Sequence, residues 1–187
     1  MRRSDLAHIV RAAAEIAGDG KILIIGSQAV LASRGDSELP AEATMSIEAD
    51  VAFFDDETEE KGDRVDGAIG EGSEFHRRFG YYAQGVSVGA ATLPAGWRER
   101  VVAFRFGDHG RANAVCLEPH DLVVSKLVAG REKDVQFARA LVSAGIVTVE
   151  TLRGRIDALE VVAGVKRRTL DLLSRIERSA GGPTGSP

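Results

Sequence analysis

The segment SIEADV, residues 46–51, sets two carboxylates two positions apart in an otherwise apolar stretch. With MSIEADVAFF (45–54) as a strand, Ile47, Ala49, Val51 and Phe53 take one face and Ser46, Glu48, Asp50 and Ala52 the other. Glu48 and Asp50 are then neighbours, about 6.6–6.8 Å apart along the strand. Like charges so placed repel unless a cation lies between them. A hard cation such as Mg²⁺ suits the pair, because it takes oxygen ligands and keeps waters and substrate phosphates in its shell. The same pair also fits the wet outer face of a half-exposed strand, and spacing alone does not choose.

Two further features carry chemistry. In KILIIGSQAVLAS (21–33) an apolar strand stops at Gly26-Ser27 and continues as an apolar helix. Free backbone N–H groups and a hydroxyl at a helix start make an anion site; Gly26 as a turn and Ser27 as a cap account for the pair equally. In DLVVSKLVAG, Lys126 has Leu122, Val123, Ala129 and Gly130 as its helical neighbours, and none can pair with it. It either snorkels to water or meets an anion from elsewhere in the fold. The segment GREKD follows, and on one continuous helix Lys133 would share the face of Lys126, with Asp134 about 80° away.

Other chemistries are absent from the sequence. GxxxxGK[ST], GxGxxG and G-x-S-x-G do not occur. The histidines at 8, 76, 109 and 120 have no metal-ligand spacing, and the single Cys116 leaves no zinc constellation and no internal disulfide. Of the four, His76 is the one retained as a neighbour of the site.

The elements that must position these groups follow from pattern. Ser4 caps a first helix whose stripe is Leu6, Ile9, Val10, Ala13, Ile16 and Ala17. A strand over 22–25, a helix from Ser27 to about Ser33, a loop at RGDSELPAEAT and the strand 45–54 come next. A helix in 55–70 begins with an acidic run that suits its first turn, and a short helix covers 73–79. RERVVAFRF and ANAVCL flank GDHGR as a β-hairpin. Pro119 opens a helix to about Ala129, and further helices cover 132–143, 148–160 and 164–178. The expected class is α+β: a mixed sheet with flanking helices over 1–117, a helical region over 118–178 that completes the site, and a disordered tail over 179–187.

The chain has 187 residues, 44% hydrophobic and 28% charged, an ordinary globular balance. No apolar run approaches the ~20 residues a membrane-spanning helix needs, and MRRSDLAHIV lacks the apolar core of a signal peptide; a cytoplasmic protein is expected. The net charge of −4 divides into −8 over residues 1–94 and +4 over 95–187, so a polyanionic partner would favour the second half. Arg98, Arg100, Arg105, Arg111, Lys166–Arg168 and Arg175 are compatible with a phosphate track, and equally with solvated helix faces. Trp97, Tyr81 and Tyr82 could stack on a base, though such residues more often serve core or rim packing.

The order IIGSQAVL, SIEADV, LEPHDLVVSKLVAGREKD resembles the bacterial nucleotidyltransferases of the polymerase-beta superfamily, in the branch related to AbiEii and MenT-type toxins. The likeness covers about residues 20–143, with FHRRFGYYAQGV and LPAGWRERVV inside it; SKLVAGREKD is its most specific part and Gly-Ser its least. The resemblance implies metal-dependent transfer of a nucleotide from an NTP to an acceptor hydroxyl. By it, Gly26 and Ser27 hold the triphosphate, Glu48 and Asp50 bind Mg²⁺, Lys126 and Asp134 complete the site, and Arg131 is a further phosphate contact. It suggests the 3′ end of tRNA as acceptor and a toxin with a cognate antitoxin. A protein or small-molecule acceptor, or a non-catalytic nucleotide-binding or partner-binding module on the same fold, are the alternatives. The chain departs from the pattern in having Glu48 where the superfamily usually has Asp, in the longer gap RGDSELPAE, and in lacking a third carboxylate on the hairpin, where Asp108 sits in the turn.

Overall fold

The computed structural model describes residues 1–106 and 114–180. Its strands are β1 (Ile22–Ile24), β2 (Glu48–Phe53), β3 (Tyr82–Gly85), β4 (Val102–Phe104) and β5 (Ala114–Cys116). All three residues of β1 are apolar and fully buried. A strand with no polar alternation belongs in the middle of a sheet, covered on both faces, and β1 is the central strand of the order β3-β2-β1-β5-β4. β2 pairs with it antiparallel, Ile22 opposite Phe53 and Ile24 opposite Val51. β5 pairs with it parallel, Leu23 opposite Val115. β3 adds to β2 in parallel, and β4 closes the far edge antiparallel to β5, so the predicted hairpin forms. The result is the expected α+β class, a mixed sheet flanked by helices.

The helices are α1 (Arg3–Ala17), α2 (Ala41–Thr44), α3 (Glu60–Ile69), α4 (Glu74–Phe79), α5 (Pro119–Ala129), α6 (Glu132–Ser143), α7 (Val149–Asp157) and α8 (Ala163–Ala180). α1 and α3 pack on each other and on β2 and β3; α5 is the hub of the C-terminal helices and touches α6, α7 and α8. One apolar cluster runs through the molecule from Leu6 to Ile176. Among the described residues no helix is long and apolar enough to cross a membrane.

Several expectations are corrected. Asp5, not Ser4, sets the start of α1, because its carboxylate accepts the Arg2 N–H at 2.8 Å and moves the boundary two residues upstream. Ser27–Ala32 is a 3₁₀ helix rather than an α-helix, its first bond running from Ala29 N–H to Gly26 C=O. The expected loop over 34–44 contains a 3₁₀ turn, Asp36–Glu38, and α2. The expected break between the helices over 119–129 and 132–143 is present: Gly130 takes φ +66° and ends α5, and α6 begins anew. Ser179 and Ala180 belong to α8 rather than to a tail. The tail over 181–187 and the hairpin turn over 107–113, with Asp108, His109 and Arg111, lie outside the described residues.

The first turn of α5 is tied down by charge. Asp121 has no exposed surface and accepts two hydrogen bonds from Arg100, from Nε at 2.8 Å and Nη2 at 3.1 Å. The Nε of Arg155 on α7 lies 3.3 Å from the same carboxylate. Arg100 also donates to the Ala95 carbonyl at 3.1 Å, so the segment before β4 is held to α5 and α7. Replacing Asp121 by Ala strands two guanidiniums without their anion, and should cost about 3 kcal/mol of folding stability. Urea unfolding of the variant measures this, and an unchanged midpoint would show that the cluster is not a structural tie.

Candidate functional site

The junction after β1 is shaped by the strand beside it. The Ile25 N–H donates to the Asp50 carbonyl at 3.1 Å and carries the β1–β2 pairing one residue further, which lays Gly26 against Asp50. A Cβ built on Gly26 would sit 1.6 Å from Asp50 Oδ2 and 2.6 Å from its Cγ. The backbone there is extended, with φ −75°, so a turn is not what requires glycine. The requirement is close approach: the Asp50 carboxylate occupies the space of a side chain. Any other residue at 26 pushes that carboxylate away.

On β2, Glu48 and Asp50 project to one side while Ala49 and Val51 are fully buried on the other. β3 runs parallel with Tyr82 opposite Glu48 and Gln84 opposite Asp50. Tyr82 O–H donates to Glu48 Oε2 at 2.9 Å. Burial, and then the Glu48 carboxylate, push the Tyr82 hydroxyl up to about 12, so it stays a donor. Burial first, then the charge and hydrogen bond of Glu48, push Asp50 up to about 6, with Lys126 and Lys133 pulling the other way. The ring of His76 lies 4.7 Å from that of Tyr82, one layer behind the carboxylates.

The opposite wall comes from the α5–α6 turn. With Gly130 in the left-handed region the chain reverses, and Asp134 returns to Lys126, Nζ to Oδ1 at 3.1 Å. Arg131 Nε donates to Oδ2 of the same carboxylate at 2.6 Å. Asp134 is 1% exposed. Burial alone would raise its carboxyl, but the Arg131 hydrogen bond and the Lys126 charge outweigh it and hold the group below the usual carboxylate range. Lys126 therefore neither snorkels free nor lacks an anion; its Nζ also lies 5.4 Å over the Phe137 ring.

These groups surround one cleft of two adjoining cavities. The first, of about 450 Å³, is lined by Ser27, Glu48, Asp50, Lys126, Lys133 and Asp134 among others. The second, of about 340 Å³, includes Gly26 and shares Asp50, Lys126 and Arg131 with the first. The structure thus brings together Gly26, Ser27, Glu48, Asp50, Lys126, Arg131 and Asp134. It adds Gln84, which lines the first cavity and becomes visible only once β3 is paired with β2. Tyr82 is a partner of Glu48 rather than a base-stacking platform; Tyr81 packs among His8, Phe75 and Phe79, and Trp97 stacks on Phe54. Among the described residues no three His, Cys, Asp or Glu groups converge on a metal position. The donor set is the Glu48–Asp50 carboxylate pair with the Gln84 amide beside it, and a hard cation that takes oxygen ligands and completes its shell with water and phosphate fits such a pair.

No curated protein and no solved structure matches the chain. Residues 4–177 match the family model described as nucleotidyltransferase of unknown function (DUF6036). That span runs from α1 into α8 and contains every residue of the cleft, and the chain belongs to this nucleotidyltransferase family.

Proposed function

We propose that the chain moves a nucleoside monophosphate from an NTP to an acceptor hydroxyl, in a metal-dependent reaction centred on the cleft between β2 and the α5–α6 turn. The observation that carries this is the facing of two carboxylates, Glu48 and Asp50, by two cations, Lys126 and Arg131, across a cavity large enough for a triphosphate. Glu48 and Asp50 would hold Mg²⁺. When bound, Mg²⁺ would neutralise phosphate charge and act as a Lewis acid at the α-phosphorus. Ser27 offers a hydroxyl at the cavity wall, and Lys126 with Arg131 offers positive charge to the phosphates. The acceptor oxygen bonds to the α-phosphorus, the bond to the bridging oxygen breaks, pyrophosphate leaves and the acceptor proton passes to water. Asp134 is not the base: both its oxygens are engaged and its carboxyl holds its proton weakly. It orients Lys126 and Arg131.

The tRNA 3′ end is the acceptor in this reading, and the protein acts in the cytoplasm as a toxin restrained by a cognate antitoxin. The resemblance and the +4 charge of the second half support it. The Lys166–Arg168 run supports it less than its charge suggests. Lys166 Nζ donates to the Asp157 carbonyl and Arg168 Nη2 to that of Val128, so both are occupied at helix C-termini.

Incubation with each α-³²P-labelled NTP and total tRNA should move label into RNA, with the signal falling at least ~100-fold in Lys126→Ala and Asp50→Asn. Nucleotide binding with no labelled acceptor would make the protein a binding module instead. A second prediction follows from Asp50. In the metal-free fold it holds a proton more tightly than an unfolded aspartate, so its ionisation opposes folding as pH rises from about 4 through 6. Asp50→Asn should therefore melt with the wild type near pH 4 and a few degrees above it at pH 7.5. Mg²⁺ should raise the melting temperature of the wild type only; equal melting at both pH values, or an equal response to Mg²⁺, would remove Asp50 from the metal site.

A further inference from the structure

The first cavity of the cleft does not end at the carboxylates. Glu42 and Gln136 line both it and a third cavity, of about 610 Å³, which lies between α2 and α6 with Pro40, Arg139 and Ser143 on its walls. One wall is a face of α6. Lys133, Gln136, Arg139 and Ser143 are all exposed. They recur every three or four residues and so form one polar stripe about 15 Å long. Ala138 and Leu141, on the opposite face, are fully buried. The other wall is the segment before β2, and it is held in place. Ala43 is buried, its N–H bonds the Pro40 carbonyl at 3.0 Å, and the buried Gln28 donates from Nε2 to the Ser46 carbonyl at 3.1 Å. Between these anchors Met45 lines the first cavity and is 74% exposed.

We propose that the groove between α2 and α6 is the route of the acceptor, which enters it as a single RNA strand with its 3′ end leading; this rests on the nucleotidyltransferase reading. Such a strand presents ribose hydroxyls at its tip, then a base, then a phosphate. The groove has the same order. Glu42 stands where the two cavities join, and a carboxylate accepts from hydroxyls. Gln136 stands there too, and its amide offers a donor and an acceptor to a base edge. Met45 gives the base an apolar surface beside them. Arg139 lies further out, in the third cavity alone, and meets the phosphate behind the terminal nucleotide. The reverse entry would bring a terminal phosphate to Glu42 and leave Arg139 facing hydroxyls. The charge available also points to α6. On α8, Lys166 and Arg168 are held by the carbonyls of Asp157 and Val128. Lys133 and Arg139, among the described residues, form no ion pair. A groove this narrow takes an unpaired strand and not a duplex end, whose bases would first have to separate.

Fluorescence anisotropy with a labelled RNA hairpin, in Mg²⁺, tests this. The hairpin is prepared with an unpaired 3′ end, with the same end 3′-phosphorylated, and blunt. The wild type should bind the unpaired 3′-hydroxyl end at least ~10-fold more tightly than the other two. Arg139→Glu and the groove-filling Ser143→Trp should each weaken that binding at least ~10-fold, with calorimetric binding of Mg-NTP unchanged. Arg175→Glu, on the exposed face of α8, should change it by less than about twofold. Glu42→Gln should narrow the discrimination against the 3′-phosphate. RNA binding that survives both groove variants overturns the proposal, and loss in Arg175→Glu moves the acceptor to α8. If label passes from NTP to a protein and not to RNA, and the groove variants abolish it, the groove takes a polypeptide and the proposal is likewise overturned. A wild type that binds Mg-NTP but no RNA overturns the groove alone, whereas one that binds no Mg-NTP defeats the nucleotidyltransferase reading on which it rests.

Discussion

The site depends on one contact, the Asp50 carboxylate resting on the Cα of Gly26. It requires the antiparallel pairing of β1 and β2 to continue to Ile25, and it requires that nothing project from residue 26. Given both, Asp50 is drawn in beneath the start of the 3₁₀ helix, half-buried and close enough to Glu48 for the second carboxylate to resist its ionisation. A fold selected for stability alone would not keep two acidic groups so placed. Their proximity opposes folding, and in the metal-dependent reading proposed above a divalent ion would turn that opposition into attraction.

The other wall shows the complementary arrangement. Lys126 and Arg131 share one anion, Asp134, which is 1% exposed and lies within 3.1 Å of the first and 2.6 Å of the second. A carboxylate held by two cations keeps both side chains aimed at the cleft, so in the proposed reaction less ordering would remain to be done on binding phosphates. The turn at Gly130 makes this possible, because a continuous helix would have set Asp134 to one side of Lys126 instead of doubling back on it.

Much of this was legible in the sequence, and the boundary is physical. A period of two put Glu48 and Asp50 on one face, and Pro119 and Gly130 marked both ends of α5. The apolar neighbours of Lys126 left it two fates, water or an anion from outside its own helix, and only the α5–α6 turn decides for the anion. What could not be read were facts of pairing. Gln84 stands beside Asp50 because β3 adds parallel to β2, a choice that neither strand encodes alone. The role of Tyr82 is unreadable for the same reason, since its bond to Glu48 exists only across that pair of strands. The reason for Gly26 was hidden likewise: glycine after a strand signals a turn, and only the register shows a carboxylate in the missing side chain's place.

The position of Lys126 finally rests on how α5 is fixed. Leu122, Val123, Val124 and Leu127 are all fully buried, so the helix is apolar around much of its circumference. Hydrophobic packing would then tolerate a range of rotations about the helix axis, because it is non-directional. Hydrogen-bonded charges are directional and do not. Asp121 clasps Arg100 in the first turn, and Lys126 meets Asp134 near the last. Buried ion pairs add little net stability over well-packed apolar residues, but at the two ends of a helix they fix its rotation. The same rotation that satisfies Asp121 turns Lys126 toward Asp50, so the structural cluster at one end of α5 and the chemical cluster at the other are parts of one constraint.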